Sequence, residues 1–389
     1  MLRVALVLDR YDPRRGGLEH WAHELVRWLV VRGHEVRIVA FDAVASAIPD
    51  GVAVNLVPAR PGHLERAAAV ARRLDEVEVD VVHDLGVGWR YDVLQPQGGS
   101  KLASARQSLR SLPLWRRALR TLDPRYRRRI AEMRKLESRQ YAAPSGLVVS
   151  VSRLVHSELA LRFGVAADRL RIIYNGVDTA RFSPGDSPQE RALLRRRLAA
   201  GERVLFLIAT HNYWLKGVHT ALRALRMMER RGADSAHLAV IGRGPVAAFE
   251  RKARQLGVAH RVTFCGPVGD QVPYLRAADV FLHPTFYDAC SLAVLEAWAC
   301  GLPVITSVYN GAAELMTPGI EGMIVRDPAS AAELAAAMGA MLDEPSRRAM
   351  GANARHLALQ HPLEANFTAI EQTYRDAVAA RRRDPTCRP

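Results

Sequence analysis

Short β-rich runs alternate with segments of helical periodicity along most of this 389-residue chain. The first example is a strand over 3–8, a loop with a glycine pair, a helix with apolar residues three and four positions apart, and a second strand over 35–41. Parallel strands need such crossover helices, whereas antiparallel strands can be joined by tight turns. The alternation therefore predicts an α/β fold with parallel sheets, and the length allows two domains.

A cluster of Gly, Pro, Ser and Asp over 174–188 predicts a linker, because the alternation of strands and helices begins again after it. The pattern predicts two Rossmann-like, doubly wound domains that face each other across a cleft, where ligands usually bind. The predicted divisions are residues 1–175 with a basic insertion at about 100–140, residues 176–365, and residues 366–389, a helix and tail that can pack back on the first domain.

The cysteines and the apolar runs exclude several classes of protein. Cys265, Cys290, Cys300 and Cys387 show no CxxC or Cys/His spacing, which argues against a zinc site and a disulfide framework and indicates a reducing compartment. The apolar run at the N-terminus is short and is interrupted by Asp9, unlike a signal peptide. No run approaches the ~20 apolar residues of a membrane span. We therefore expect a cytoplasmic location and no metal.

The formal net charge of +15 is concentrated in one segment. Residues 101–139 hold thirteen Lys and Arg residues against three acids, with Trp115 and several leucines between them. This pattern is typical of a helix that lies on an anionic membrane surface. The alternative is a solvated insertion whose Leu and Trp side chains pack on their own domain. Nucleic acid is not an expected partner, because no nucleic-acid-binding fold accompanies the segment.

Two carboxylates stand in the otherwise apolar segment 283–307. A strand ends in this segment, a loop holds Asp288, and Ser291 or Cys290 can cap the following helix. The loop would lie at the carboxyl edge of a parallel sheet, and a helix N-terminus there suits a diphosphate. Glu296 has apolar neighbours, which disfavours a solvent-facing role. Two carboxylates at different depths can hold the hydroxyl groups of an extended ligand.

Several motifs extend this observation over nearly the whole chain. Asp288-x7-Glu296 with "GLPVIT" behind it resembles the E-x7-E signature of family 4 glycosyltransferases, which have the GT-B fold. "GGLEH", "IIYNGVDTARFSP", "LKGVHTALRAL", "IGRGP" and "NGAAEL" add to the resemblance. Within the family the chain is most similar to the lipopolysaccharide-core α-1,3-glucosyltransferases that act on a heptose. Those enzymes also carry a basic, amphipathic insertion that contacts the membrane.

The resemblance implies a role for each matched residue. Glu296 would bind the ribose hydroxyls of a nucleotide sugar, Asp288 the hydroxyls of the transferred sugar, and Lys216 the diphosphate, whose charge grows as the glycosidic bond breaks. Gly16 and Gly17 would let backbone N–H groups approach the phosphate and the reacting sugar. The further donor-site positions are Ser291, Leu292, Arg243, Asn310 and Gly311.

Four positions in the first domain are candidates for acceptor binding. His83 and Asp84 close a strand, and they either touch the acceptor or cap the strand. Gly98 and Gly99 indicate either a close backbone approach to the acceptor or a turn.

Three departures from the family pattern bear on specificity. The first acid is usually Glu, and Asp288 is one methylene shorter, so the departure concerns the choice of donor sugar. No Arg precedes the Lys-Gly pair in "THNYWLKG", so Lys216 carries the diphosphate alone unless Arg243 compensates; Arg243 can equally be a solvated loop residue. Gln97 stands where some relatives have His, which concerns the acceptor.

The implied reaction is the retaining, metal-independent transfer of a hexose, first of all glucose from UDP-glucose, to a lipid-linked saccharide such as lipopolysaccharide core. The enzyme would need a nucleotide-sugar donor and no separate cofactor, and it would lie on the inner face of the cell membrane. Two alternatives keep the fold: a GDP-mannose-dependent mannosyltransferase and a sugar-nucleotide epimerase. A third is a basic scaffold that binds membranes or nucleic acid, against which the acid pair and Lys216 argue.

Overall fold

Two all-parallel sheets, of seven and six strands, organise the computed structural model, which describes residues 1–143 and 145–383. The chain forms two compact units. Of the described residues, unit 1 contains 1–106, 114–143, 145–174 and 364–383, and unit 2 contains 107–113 and 175–363. The predicted α/β class with parallel sheets is confirmed.

Unit 1 is built on the seven-stranded sheet. Its strands are β1 (Arg3–Tyr11), β2 (Glu35–Ala43), β3 (Ala53–Leu56), β4 (Val81–Asp84), β5 (Val93–Leu94), β6 (Leu147–Ser150) and β7 (Leu170–Ile172). The helices that accompany them are α1 (Gly17–Val31), α2 (His63–Asp75), α3 (Lys101–Arg110), α4 (Leu114–Leu122), α5 (Pro124–Tyr141) and α6 (Arg153–Phe163). The strand order β3-β2-β1-β4-β5-β6-β7 reverses direction between β1 and β4, as in a doubly wound fold.

Burial explains the first strand and helix. Val4, Ala5, Leu6, Val7 and Leu8 are all fully buried, as expected for a parallel strand that is covered on both faces. The buried positions of α1 recur at three- and four-residue spacing, which puts one apolar face against the sheet. These buried positions are Trp21, Ala22, Leu25, Val26 and Leu29.

The last helix of the chain, α14 (Leu363–Arg383), packs within unit 1. The Trp21 indole N–H donates to Asn366 Oδ1 at 3.0 Å, and the Asn366 amide donates to the Tyr174 carbonyl at 2.7 Å. Arg381 donates to Asp92 at 3.1 Å. Polar bonds along its length therefore fix this helix to unit 1. Residues 384–389, with Cys387, lie outside the described residues, and the other three cysteines are free thiols.

The basic insertion contains three helices, α3 to α5, rather than one surface helix. The Glu137 carboxylate of α5 accepts from the backbone N–H groups of Lys101 and Leu102 at 2.5 and 3.2 Å and so caps α3. Helix α4 has no buried residue. Its apolar side chains are instead 61–77% exposed; they are Leu114, Trp115, Leu119 and Leu122. No helix in the described part of the chain is long and apolar enough to span a membrane.

Unit 2 is built on the six-stranded sheet. Its strands are β8 (Val204–Ala209), β9 (Ala236–Ile241), β10 (Val262–Gly266), β11 (Val280–His283), β12 (Val304–Ser307) and β13 (Gly322–Val325). Its helices are α7 (Pro188–Arg197), α8 (Val218–Arg230), α9 (Val246–Gln255), α10 (Val272–Ala277), α11 (Leu292–Ala299), α12 (Ala331–Ala340) and α13 (Glu344–Leu359). The order β10-β9-β8-β11-β12-β13 reverses direction between β8 and β11. The carboxyl edge at this reversal is where α/β folds bind ligands.

Candidate active site

The loop between β11 and α11 follows a fully buried strand, which ends before Pro284. Ser291 occupies the N-cap position of α11, but its hydroxyl makes no capping bond, so the expected side-chain cap is wrong. Within the described chain, the backbone N–H groups of Leu292 and Ala293 have no hydrogen-bond acceptor. The helix N-terminus therefore keeps two donors and the positive end of its dipole.

Asn310 connects this loop to the next one along the sheet edge. Its side-chain oxygen accepts from the Ser291 N–H at 3.2 Å, and its amide donates to Thr306 Oγ1 at 3.1 Å. The backbone of Asp288 adds two bonds, since its N–H donates to the Tyr309 carbonyl and its carbonyl accepts from the Gly311 N–H, both at 2.9 Å. Asn310 and Gly311 thus hold the β11–α11 loop in place through hydrogen bonds.

Asp288 is the centre of a small charged cluster. Its Oδ2 lies 2.5 Å from Lys216 Nζ and 2.9 Å from His283 Nε2. Burial alone would raise the pKa of Asp288, but the Lys216 ammonium and the His283 hydrogen bond outweigh burial and hold it well below its usual range. Burial lowers the pKa of His283, so the imidazole is neutral and its Nε2–H is the donor.

Lys216 reaches this cluster from the loop after β8. It is followed by Gly217, which has a positive φ of +71° and is the N-cap residue of α8. A Cβ atom on Gly217 would lie 2.3 Å from the Pro284 carbonyl oxygen, so only glycine allows the two loops to approach. The Lys-Gly motif therefore places the Lys216 side chain beside Asp288, and Nζ also lies 3.3 Å from the Tyr287 carbonyl.

Glu296 lies on the buried face of α11 and is 9% exposed. The Gln271 side-chain amide, at the start of α10, donates to Glu296 Oε2 at 2.6 Å. Burial raises the pKa of Glu296 to about 7, and the nearby Arg181 charge and the Gln271 bond offset this only in part. The ionised form of this carboxyl can accept hydrogen bonds from hydroxyl groups.

Two partners of these acids were missed by the sequence reasoning. His283 was visible only as a lone histidine that closes a strand, and Gln271 as a polar residue before a short helix. The remaining predicted position of unit 2, Arg243, is exposed in the loop after β9, where its backbone N–H donates to His211 Nδ1 at 3.3 Å.

His83 and Asp84 in unit 1 are both fully buried. The Asp84 carboxylate accepts from the backbone N–H groups of Gly86, Val87 and Gly88 at 2.5–2.7 Å, and burial raises its pKa to about 6. His83 Nδ1 lies 2.7 Å from the Tyr374 hydroxyl, and burial lowers its pKa to about 3. The contacts of Asp84 favour its capping role, whereas His83 contacts Tyr374 of α14 instead of capping the strand.

The glycines predicted for unit 1 lie in two loops. Gly16 is the extended N-cap residue of α1, and Gly17 is the first residue of that helix. Gly99 has a φ of +68° and donates its N–H to the Pro96 carbonyl at 2.7 Å, which is a turn. A Cβ atom on Gly98 would meet nothing within 4 Å, so its side of the loop is open.

The carboxyl edge of unit 2 can thus bind an anion and hydroxyl groups together. The free N–H groups at the start of α11 and the Lys216 ammonium suit a diphosphate. The Asp288 and Glu296 carboxylates can accept from hydroxyl groups. Among the described residues, no group of three or more His, Cys, Asp or Glu side chains is placed to hold a metal ion.

Comparison with known proteins assigns the family. Residues 15–181 match the family described as Glycosyltransferase Family 4, and residues 202–344 match the one described as Glycosyl transferases group 1. A GDP-mannose-dependent alpha-(1-6)-phosphatidylinositol monomannoside mannosyltransferase of Mycolicibacterium smegmatis is 30% identical over 92% of this chain and 94% of its own. This chain is a family 4 glycosyltransferase. The predicted enzyme class is confirmed, and the epimerase and scaffold alternatives are set aside.

A second relative agrees with this assignment, and a solved structure shares the fold. The mannosyltransferase of the same name from Mycobacterium tuberculosis is 32% identical over 91% of this chain and 93% of its own. The crystal structure of WaaG, a glycosyltransferase involved in lipopolysaccharide biosynthesis, superposes with a TM-score of 0.78 at 24% identity, over 94% of this chain and 98% of WaaG. The structural likeness confirms the predicted GT-B class, with two parallel-sheet α/β domains.

The raised pKa of Glu296 makes its expected contact with the donor ribose testable. Because the ionised carboxylate is the stronger acceptor, affinity for a nucleotide sugar should increase by up to about tenfold from pH 6 to pH 8. Titration calorimetry with GDP-mannose and UDP-glucose measures this, since the diphosphate of a nucleotide sugar does not titrate in this range. Glu296→Gln should abolish the pH dependence; the same slope in that variant would place the titrating group elsewhere.

Proposed function

We propose that this glycosyltransferase binds a nucleotide-sugar donor along the carboxyl edge of unit 2 and transfers a hexose, with retention and without a metal, to a lipid-linked saccharide. The observation that carries this proposal is the joint placement of Lys216, Asp288 and the start of α11. The ammonium and two free N–H groups would bind the diphosphate, and the Asp288 and Glu296 carboxylates would bind the sugar and the ribose.

The diphosphate is the group whose charge changes most in the reaction. As the bond from the anomeric carbon to the phosphate oxygen breaks, negative charge accumulates on that oxygen. The N–H groups of Leu292 and Ala293 are fixed before the donor arrives, so they stabilise this charge without reorganisation. Lys216 then exchanges part of its contact with Asp288 for contact with the phosphate.

In a reaction that retains the anomeric configuration, the proton of the acceptor hydroxyl passes to the leaving group. The acceptor oxygen bonds to the anomeric carbon on the face from which the phosphate departs, and the acceptor hydroxyl proton passes to the departing phosphate oxygen. No protein base is needed on the opposite face of the sugar. Asp288 then holds the transferred sugar through its hydroxyl groups, and Glu296 holds the ribose.

For the donor, we propose GDP-mannose ahead of UDP-glucose. The two mycobacterial relatives that match more than nine-tenths of this chain at 30% and 32% identity are named GDP-mannose-dependent. The motif resemblance to glucosyltransferases favours UDP-glucose instead, and WaaG supports the fold alone at 24% identity. Both donors carry the diphosphate and ribose that the site is built to hold.

Nucleotide release from the two donors tests this proposal. We expect the protein to turn over GDP-mannose at least about tenfold faster than UDP-glucose, at limiting concentrations of each. Lys216→Met should lower kcat/KM by about 100-fold or more, because it removes the positive charge that stabilises the leaving group. The matched control is Lys252→Met, an exposed lysine of α9. A preference for UDP-glucose would overturn the donor assignment, and normal turnover by Lys216→Met would overturn the site.

For the acceptor side, we propose that α4 attaches the protein to an anionic membrane surface. An enzyme that uses a lipid-linked acceptor has to bind that acceptor at the surface of a bilayer. Trp115 and Leu119 are 61% and 63% exposed on a helix without buried residues, and Arg116, Arg117 and Arg120 surround them. Apolar side chains beside cations suit the boundary between lipid headgroups and acyl chains.

Liposome sedimentation tests this attachment. The protein should partition to vesicles that contain phosphatidylglycerol, less so at high salt, and little to pure phosphatidylcholine. Trp115→Ser with Leu119→Ser should reduce the partition by about tenfold or more, because two apolar side chains no longer enter the bilayer. The control is Leu161→Ser, which removes an 89% exposed leucine from α6. Equal partition of the double variant and the control would contradict the proposal.

A further inference from the structure

We infer that His283 is a positioning residue that holds Asp288 by one carboxylate oxygen and presents the other oxygen to the transferred sugar. This inference rests on the proposed function, because it concerns how the same site divides its work between the diphosphate and the sugar. The geometry of three side chains carries it: His283, Asp288 and Lys216.

The His283 ring is buried and packed before any ligand binds. It closes β11, is 1% exposed, and stacks on the Phe281 ring with centroids 6.0 Å apart and planes 15° apart. Its carbonyl accepts from Thr306 Oγ1 at 3.0 Å, and Pro284 restricts the backbone that follows. The position of Nε2 is therefore set by the sheet rather than by the loop that carries Asp288.

The two oxygens of Asp288 have different surroundings. Oδ2 accepts from both Lys216 Nζ and His283 Nε2. Oδ1 has no hydrogen bond within the described chain, and the side chain is 20% exposed. A carboxylate oxygen can accept more than one hydrogen bond, and Oδ1 accepts none from the described chain. Oδ1 is therefore the oxygen available to a hydroxyl group of a ligand.

Lys216 has two competing anionic partners once a donor is bound. A diphosphate beside Lys216 draws the ammonium away from Asp288, and Oδ2 then keeps only His283. The neutral imidazole still donates a hydrogen bond to the carboxylate, which favours the ionised form of Asp288 and holds it in place. Without that bond the carboxylate would follow Lys216 towards the phosphate, and the sugar would lose its partner.

The test separates binding of the sugar from binding of the nucleotide. His283→Phe keeps an aromatic ring on Phe281 but removes the donor, whereas His283→Gln offers an amide N–H in place of Nε2–H. Calorimetry with GDP, UDP and the two nucleotide sugars gives the affinity of each variant with and without the sugar. For His283→Phe, we expect nucleotide affinity to stay within about twofold and nucleotide-sugar affinity to fall by about tenfold, as for loss of a hydrogen bond to a charged group. His283→Gln should recover most of this loss.

Control variants and turnover complete the test. His237→Phe removes another buried imidazole of unit 2, whose Nε2 lies 2.9 Å from Thr263 Oγ1 on the neighbouring strand, and it should leave the ratio of the two affinities unchanged. If His283→Phe does not fold, His283→Asn serves in its place, because the shorter amide cannot reach Oδ2. For the donor that the wild-type protein turns over, kcat should fall together with sugar affinity.

Each outcome decides between the claims. An unchanged affinity ratio in His283→Phe or His283→Asn, an equal loss for nucleotide and nucleotide sugar, or no recovery in His283→Gln would overturn the positioning role. Failure of the wild-type protein to bind any nucleotide would instead overturn the proposed function.

Discussion

The candidate active site depends on the parallel pairing of β11 with β12, which continues beyond the ends of both strands. A further bridge joins Asp288 to Asn310, and Asn310 in turn holds the Ser291 N–H at 3.2 Å. The loop that carries Asp288 and the first turn of α11 are thereby fixed to the sheet edge. Because Gly217 allows the Lys216 loop to approach the same loop, the cation and the acid meet without help from a ligand.

Different partners then give the two buried acids of this short segment opposite pKa shifts. Asp288 is ionised at any ordinary pH because Lys216 and His283 stabilise its charge, whereas Glu296 has a raised pKa of about 7 because burial outweighs its partners. This contrast in pKa is consistent with a ligand that has both a charged group and neutral hydroxyl groups. The permanently charged Asp288 lies beside Lys216, the cation proposed for the diphosphate, and Glu296, whose pKa is near neutrality, lies where the proposal places only neutral hydroxyl groups.

The sequence predicted the features that depend on local patterns. Buried strands alternating with amphipathic helices identified both parallel sheets, and Asp288-x7-Glu296 located the loop and helix of the site. Strand β5 has only two residues, too few for any periodicity, and β13 begins at Gly322, where a Cβ atom would lie 2.0 Å from the Val304 carbonyl oxygen, so neither strand has a sequence pattern that identifies it. His283 and Gln271 became partners of the acids only through packing, which a linear pattern does not record. Ser291 has the residue type of a cap, but its N–H is used instead.

A crystal structure of the protein with a bound nucleotide sugar tests the central claim most directly, because it locates each group of the donor. The account predicts the diphosphate within hydrogen-bond distance of the Leu292 and Ala293 N–H groups and of Lys216 Nζ, with the ribose hydroxyls at Glu296 and a sugar hydroxyl at Asp288. A donor bound with its diphosphate away from the start of α11, or with its ribose away from Glu296, would contradict it.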